Sequence, residues 1–158
     1  MVRRAGGRSG PEGRSPRLSG GLSRFLAAQA EIYGQALREL RAGRKATHWM
    51  WFVFPQIAGL GLSPTARLYA IADRDEAAAY LTHPVLGPRL REAAEALAPW
   101  IGKRSLVAIL GEIDAMKLRS SMTLFEAVAE TPEEAAPFAR LLDGFCEGRR
   151  DPETLRRL

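Results

Sequence analysis

The sequence predicts an all-α protein, a compact single domain built as a multi-helix bundle. Apolar residues recur at three- and four-residue spacing along most of the chain, as they do on the buried faces of helices. Residues typical of helix starts and stops separate these segments, and the connections between them are short. With 158 residues, the chain is long enough to bury a core without a disulfide or a metal.

The first predicted helix covers residues 24–42. Ser23 is a suitable N-cap, and Gly43 is a suitable C-terminal stop. The positions predicted to face the core are Phe25, Leu26, Ile32, Tyr33, Ala36, Leu37 and Leu40. The charged positions predicted to face water are Arg38, Glu39 and Arg41.

A dense aromatic stretch, HWMWFVFPQ, follows at residues 48–56. Its odd and even positions are both apolar, so periodicity does not separate a buried strand from a short buried helix. We predict a two-turn helix, because no other segment offers a strand with which this one could pair. The helix should end at Phe54, since Pro55 disfavours helical geometry in the residue before it.

Start and stop signals place the remaining helices. Ser63 followed by Pro64 is typical of an N-cap and a first helical residue. The preceding Gly59-Leu-Gly61 lacks the third glycine of a dinucleotide-binding loop. A break is expected at Gly87-Pro88. The predicted helices cover residues 65–72, 85–99, 105–110, 115–129, 133–146 and 152–158, with Asp114 as the cap of the fourth. A further helix is opened by Asp73 or Asp75 and carries residues 77–81.

The N-terminal residues 1–21 are predicted to form a disordered basic tail, and residues 22–158 a single helical domain. The first 20 residues contain five arginines and one glutamate, so they hold four of the five net positive charges of the chain. A nucleic-acid-binding protein is expected to carry its basic stripe on the folded part. Nucleic acid is therefore not expected to be the main partner.

The composition also bears on metals, membranes and compartment. Cys146 is the single cysteine, which excludes an intramolecular disulfide and a multi-cysteine metal site and favours a reducing, cytoplasmic compartment. No apolar run is long enough to span a membrane, and the N-terminus lacks the apolar core of a signal peptide. The two histidines have no third ligand at metal-binding spacing, so neither a metal nor another cofactor is predicted.

Two histidines are candidates for a site. His48 begins the aromatic stretch beside Trp49 and Trp51, and an imidazole among indole rings is shielded from water and can exchange protons near neutral pH. The alternative is a packed, hydrogen-bonded histidine. His83 precedes Pro84, where capping of the next helix is its simpler role. The sequence does not reveal whether the two histidines meet.

A second polar cluster, KLRSSMT, occupies residues 117–123. Helical spacing places Lys117, Ser120 and Ser121 near one face, with Arg119 and Thr123 on another. Hydroxyl side chains inside a helix compete with its backbone, so a buried hydrogen-bonding cluster or an anion site would explain their presence. A solvated helix face is the alternative. Lysine and arginine beside hydroxyl groups and tryptophans suit a phosphate-bearing ligand with a ring.

Three blocks of this sequence resemble the bacterial domain-of-unknown-function family numbered 1810. They are HWMWFVFPQIAGLGLSPTARLYAI, EAAAYLTHPVLGPRLREA and KLRSSMTLF, which stand in the same order here. The resemblance covers about residues 24–158 and implies a small, mainly α-helical domain without an established reaction. The resemblance also implies an association of the family with enzymes that handle NAD-derived or ADP-ribosyl compounds. Family members tend to begin the first helix with an acidic, proline-containing segment, where this chain has residues 19–23, SGGLS.

The label calpastatin is sometimes attached to members of this family, and the sequence gives it no support. Protease-inhibitor repeats of that kind are disordered, whereas this chain has a large apolar complement and no internal repeat.

These patterns predict a small cytoplasmic protein that binds or processes a nucleotide-like molecule, such as a compound derived from NAD or ADP-ribose. The catalytic candidates are His48 and Lys117. The ligand-binding candidates are Trp49, Trp51, Gln56, Ser63, His83, Arg119, Ser120 and Ser121. The alternative is a protein–protein interaction module that docks a partner through its Trp-rich surface. The sequence leaves open whether the protein is an enzyme.

Overall fold

The computed structural model describes residues 21–158, and it confirms the all-α prediction. The described residues form nine α-helices and one 3-10 turn, Ala98–Trp100. The helices are α1 Ser23–Ala42, α2 Met50–Val53, α3 Pro64–Leu68, α4 Arg74–Thr82, α5 Leu86–Leu97, α6 Leu106–Leu110, α7 Glu112–Val128, α8 Pro132–Phe145 and α9 Pro152–Arg156. Within this range the β-pairing consists of one isolated parallel bridge between Ile57 and Ile71. The tail predicted for residues 1–21 lies outside the described residues, apart from Gly21.

Local capping explains where several helices begin. The Ser63 hydroxyl accepts a hydrogen bond from the Ala66 amide at 3.1 Å, as its position before Pro64 predicts. The Asp73 carboxylate does the same for α4, accepting from the Glu76 amide at 2.9 Å. In each case the cap satisfies a first-turn amide that has no carbonyl partner within the helix.

Several predicted helix boundaries are wrong. Helix α1 begins at Ser23, so Leu22 and not Ser23 holds the N-cap position, and α3 ends at Leu68 rather than near residue 72. The aromatic stretch forms a single turn, α2, and not two. Helix α5 runs without a break through Gly87 and Pro88, because a proline in the first turn removes an amide that needs no partner there. Helix α7 begins at Glu112, so Asp114 lies inside it and is not its N-cap.

Glu39 is also placed differently from the prediction, which had it facing water. Its side chain is buried, and the residue is only 5% exposed. The helical pattern of α1 puts Glu39 beside the buried Leu40, and a local hydrogen-bonding network described below compensates for the burial of its charge.

Two helices organise the packing. Helix α7 contacts α4, α6, α8 and α9, while α5 contacts α1, α4 and α8. Apart from Leu37, the buried apolar side chains of the described residues form one cluster, in which the Tyr80 ring contacts Phe25 edge-on and Phe125 at a tilt. The outer face of the N-terminal half of α7 is left open to solvent beside α2.

Candidate functional site

The Glu39 carboxylate fixes the segment that leads into the aromatic stretch. It accepts hydrogen bonds from the Ala46 and Thr47 amides, the Thr47 hydroxyl, the Gln35 amide group and the Trp49 indole, at 2.7–3.0 Å. Burial alone would raise the pKa of this carboxyl, but the hydrogen bonds outweigh burial and lower the pKa to about 2. Trp49 is consequently held inside the core, with no exposed surface.

Helix α2 turns Trp51 outwards. Met50 and Val53 are one turn apart and both are buried, so the intervening Trp51 is left half-buried at the surface. The ammonium group of Lys117 on α7 lies over the Trp51 ring, 4.8 Å from its centre. This contact joins the aromatic stretch to the polar cluster of α7, two segments that the sequence singled out separately.

A lysine pair shares one carboxylate next to Trp51. The Asp114 carboxylate lies 3.0 Å from the Lys45 ammonium and 3.6 Å from that of Lys117. All three side chains are largely buried: the exposed fraction is 10% for Lys45, 18% for Asp114 and 22% for Lys117. The Lys45 amide also donates to the Ile109 carbonyl oxygen at 2.8 Å, which ties this segment to α6.

Two adjoining pockets lie on either side of the Trp51–Lys117 contact, and together we name them the Trp51 groove. The His48 pocket has a volume of about 480 Å³ and is lined mainly by Lys45, His48, Trp51, Glu112, Ile113 and Asp114. The Gln56 pocket has a volume of about 390 Å³ and is lined mainly by Gln56, Lys117, Arg119, Ser120, Asp151 and Glu153. Ile113 lines both pockets, and a groove of this size accommodates a small organic molecule.

The C-terminal segment forms one wall of the Gln56 pocket. The Arg119 guanidinium donates to the carbonyl oxygens of Arg149 and Arg150, both at 2.8 Å. The Asp151 carboxylate accepts from the Ser120 hydroxyl at 2.9 Å, and the Asp151 amide donates to the Thr123 hydroxyl at 3.0 Å. Arg119, Ser120 and Thr123 of KLRSSMT therefore hold this wall in place.

Six of the ten predicted site residues line the Trp51 groove. They are His48, Trp51, Gln56, Lys117, Arg119 and Ser120. Two others, Trp49 and Ser121, are completely buried and do not line it. The remaining two cap helices: Ser63 begins α3, and the His83 imidazole accepts from the Val85 and Leu86 amides at the start of α5.

Five charged residues of the groove were not predicted. The sequence indicates Lys45 only as a neighbour of His48 and Asp114 only as a helix cap, and it singles out none of Glu112, Asp151 and Glu153. Asp151 follows Ser120 by 31 positions, so no local spacing connects them. The Asp-Pro start of α9 was the one available signal, and it indicates a cap rather than a pocket wall.

Within residues 21–158, no group of three or more histidine, cysteine, aspartate or glutamate side chains is arranged to hold a metal ion. None of the helices in the same range is both long and apolar enough to cross a bilayer. The cysteine at position 146 is free and half-buried, and burial raises the pKa of its thiol.

Comparisons with known proteins agree with this fold. Residues 19–158 match the model of a family described as a protein of unknown function, DUF1810. The chain is similar to the crystal structure of the conserved hypothetical protein Rv1873 from Mycobacterium tuberculosis, with 46% identity and a TM-score of 0.82. That similarity covers 87% of this chain and 95% of the other. A comparison with curated proteins found no match. The family match spans most of the sequence, so this protein belongs to the DUF1810 family.

Proposed function

We propose that the protein binds a nucleotide-like small molecule in the Trp51 groove, with the planar ring of the ligand stacked against Trp51. The observation that carries this proposal is the half-buried Trp51 indole, which lines the His48 pocket while Lys117, from the Gln56 pocket, holds the ring through its ammonium group. An indole in a pocket offers a large flat surface to a ligand ring at a small entropic cost.

The two pockets support different parts of such a ligand. Trp51 lines the His48 pocket, where His48, Lys45 and Asp114 supply hydrogen-bonding groups for the edge of a ring. Lys117 lines the Gln56 pocket, together with Gln56 and Ser120, which suit the polar substituents of the ring. Ile113 provides an apolar surface between the two.

Catalysis is a narrower version of this proposal. His48 is the candidate acid or base, but it is exposed at the groove and not shielded from water by the indole rings as the sequence predicts. Lys117 is held against Trp51 and Asp114. We place this activity in the cytoplasm, because the single cysteine of the chain, Cys146, is free.

A thermal-shift screen tests the binding proposal. The purified protein is scanned against nucleosides, nucleotides, NAD, ADP-ribose and sugar phosphates. A ligand present at a hundredfold excess over its Kd stabilises the protein by about 2.7 kcal/mol, which corresponds to a rise in Tm of roughly 5–10 °C for a domain of this size. A panel in which no compound raises the Tm contradicts the proposal.

The lysines of the chain offer a matched control. Lys117→Gln removes the ammonium group that packs on the Trp51 ring and pairs with Asp114. We expect the less firmly held ring to reduce the ligand-induced shift, while the Tm of the free protein changes little. Lys103→Gln makes the same change at an exposed position outside both pockets, and it should leave the ligand-induced shift intact. Equal behaviour of the two variants would argue against binding at Trp51.

The second candidate function is docking of a protein partner, and exposed apolar side chains on α7 favour it. Ile113 and Met116 are 71% and 72% exposed, on the same face as the groove, although Trp49 contributes nothing to this surface. The simplest partner is a second copy of the chain. Light scattering over a range of concentrations tests this case, because Ile113→Asp should abolish any self-association.

A further inference from the structure

The walls of the Trp51 groove carry more negative than positive side chains. Lys45, Lys117 and Arg119 are its cations, and Glu112, Asp114, Asp151 and Glu153 are its carboxylates. A pocket for a polyphosphate is expected to show the reverse, with an excess of arginine and lysine facing the ligand.

The cations of the groove already have partners within the protein. Lys45 and Lys117 share the carboxylate of Asp114, and Lys117 also packs on Trp51. The Arg119 guanidinium donates to two backbone carbonyl oxygens, those of Arg149 and Arg150. A phosphate group entering the groove would have to compete with each of these contacts.

The carboxylates of the Gln56 pocket are held in their charged form. Burial alone would raise the pKa of Asp151, but hydrogen bonds from the Thr154 and Ser120 hydroxyls and the nearby Arg119 lower it. Glu153 forms ion pairs with Arg156 and Arg157, and the hydrogen bonds from these two guanidinium groups lower its pKa. Ionised carboxylates only accept hydrogen bonds, so they attract hydroxyl and amino groups and repel phosphate oxygens.

We propose that the ligand of the Trp51 groove has a low net charge and is a ribonucleoside rather than a nucleoside polyphosphate. Its base stacks against Trp51 in the His48 pocket, and its sugar reaches past Ile113 into the Gln56 pocket. There the sugar hydroxyls donate hydrogen bonds to the carboxylates of Asp151 and Glu153. This inference rests on the proposed function and specifies the chemical class of its ligand.

A phosphate series provides the test. Calorimetric titrations of the full chain use adenosine, AMP, ADP and ATP, and the same series of uridine compounds, without divalent cations. We expect the nucleoside to bind most tightly, the Kd to rise at least about threefold with each added phosphate, and 2′-deoxyadenosine to bind more weakly than adenosine. A Kd that falls as phosphates are added overturns the inference but leaves ring binding intact. If none of these compounds binds, ring binding itself is contradicted.

Glu153→Gln sharpens the test. The Glu153 side chain is 49% exposed, so the substitution is compatible with folding. It removes one negative charge from the Gln56 pocket, and the ratio of the Kd for ATP to the Kd for adenosine should fall severalfold. Glu133→Gln is the control, an exposed residue in the first turn of α8 outside both pockets, and it should leave the ratio unchanged. A ratio that is the same in both variants and the wild type overturns the role of Glu153.

Discussion

Among single residues, Glu39 has the widest influence on the candidate site. Its carboxylate receives donors from Gln35, Ala46, Thr47 and Trp49, so one buried charge sets the course of the chain between α1 and α2. Hydrogen bonds to a buried charged group contribute more to stability than neutral ones, and losing the charge leaves their donors poorly matched.

Replacing this carboxylate should destabilise the protein measurably. We expect Glu39→Gln to lower the free energy of unfolding by about 2–4 kcal/mol in a urea titration, because one amide oxygen cannot accept from all these donors. Glu31→Gln, at an exposed position of the same helix, should change it by less than about 0.5 kcal/mol. Similar losses in the two variants would show that the hydrogen bonds of Glu39 contribute little to the free energy of unfolding.

The lowered pKa of Glu39 predicts that the stability of the protein depends on pH. The pKa of Glu39 is lowered from 4.5 to about 2 on folding, so its contribution to stability is fully present above pH 4.5. As the pH falls from 4.5 towards 2, the unfolded state takes up the proton first and this contribution is lost. Urea titrations at pH 7 and pH 3 should therefore show a smaller difference between wild type and Glu39→Gln at the lower pH.

Removal of two different hydroxyl groups of KLRSSMT should change the free energy of unfolding differently. The buried Ser121 hydroxyl has no hydrogen-bond partner among the residues that the structure describes, so Ser121→Ala should leave the free energy of unfolding unchanged or raise it by up to about 1 kcal/mol. The Thr123 hydroxyl donates to the Arg119 carbonyl and accepts from the Asp151 amide. Thr123→Val should cost about 1–2 kcal/mol in the same urea titration. Equal losses in both would contradict the assigned contacts.

At the level of elements, the C-terminal segment depends on α7 through polar contacts. Helix α9 packs on α7 and is short, five residues from Pro152 to Arg156. The bonds of Arg119 to the carbonyls of Arg149 and Arg150 hold the chain just before it. A short helix with few buried apolar side chains is expected to open locally once such contacts are lost.

Hydrogen exchange measures this opening. We expect Arg119→Ala to speed exchange of the amides in residues 149–157 at least tenfold, with little change in α1, α5 and α8. Arg140→Ala, at an exposed position on α8, should leave the C-terminal amides as they are in the wild type. If both variants exchange alike, Arg119 does not hold the C-terminal segment.

The helices themselves were largely predictable, because their signals are local. Three helices begin directly after a capping residue, whose side chain accepts a hydrogen bond from an amide of the first turn; these residues are Ser63, Asp73 and Ser105. The burial of Glu39 was not predictable, since its donors come from a loop whose path the sequence does not specify. Gly87-Pro88 predicts a break that the structure does not have, because a proline is tolerated in the first turn of a helix.

On the scale of the whole molecule, the groove exists because three distant segments meet. The aromatic stretch contributes Trp51, α7 contributes Lys117, and the C-terminal segment contributes Asp151. The sequence singled out the first two segments by their unusual composition, but their contact depends on long-range packing. The third has an ordinary composition, and only the fold shows that it belongs to the site.

Trp51 is the residue on which ligand binding depends, so its fluorescence tests the central proposal most directly. We predict that adding adenosine quenches or shifts the tryptophan emission of the wild type in a saturable way, that Trp51→Phe abolishes this change, and that Trp100→Phe, outside both pockets, retains it. A saturable signal that survives in Trp51→Phe and disappears in Trp100→Phe would place the ligand elsewhere and contradict the Trp51 groove as its site.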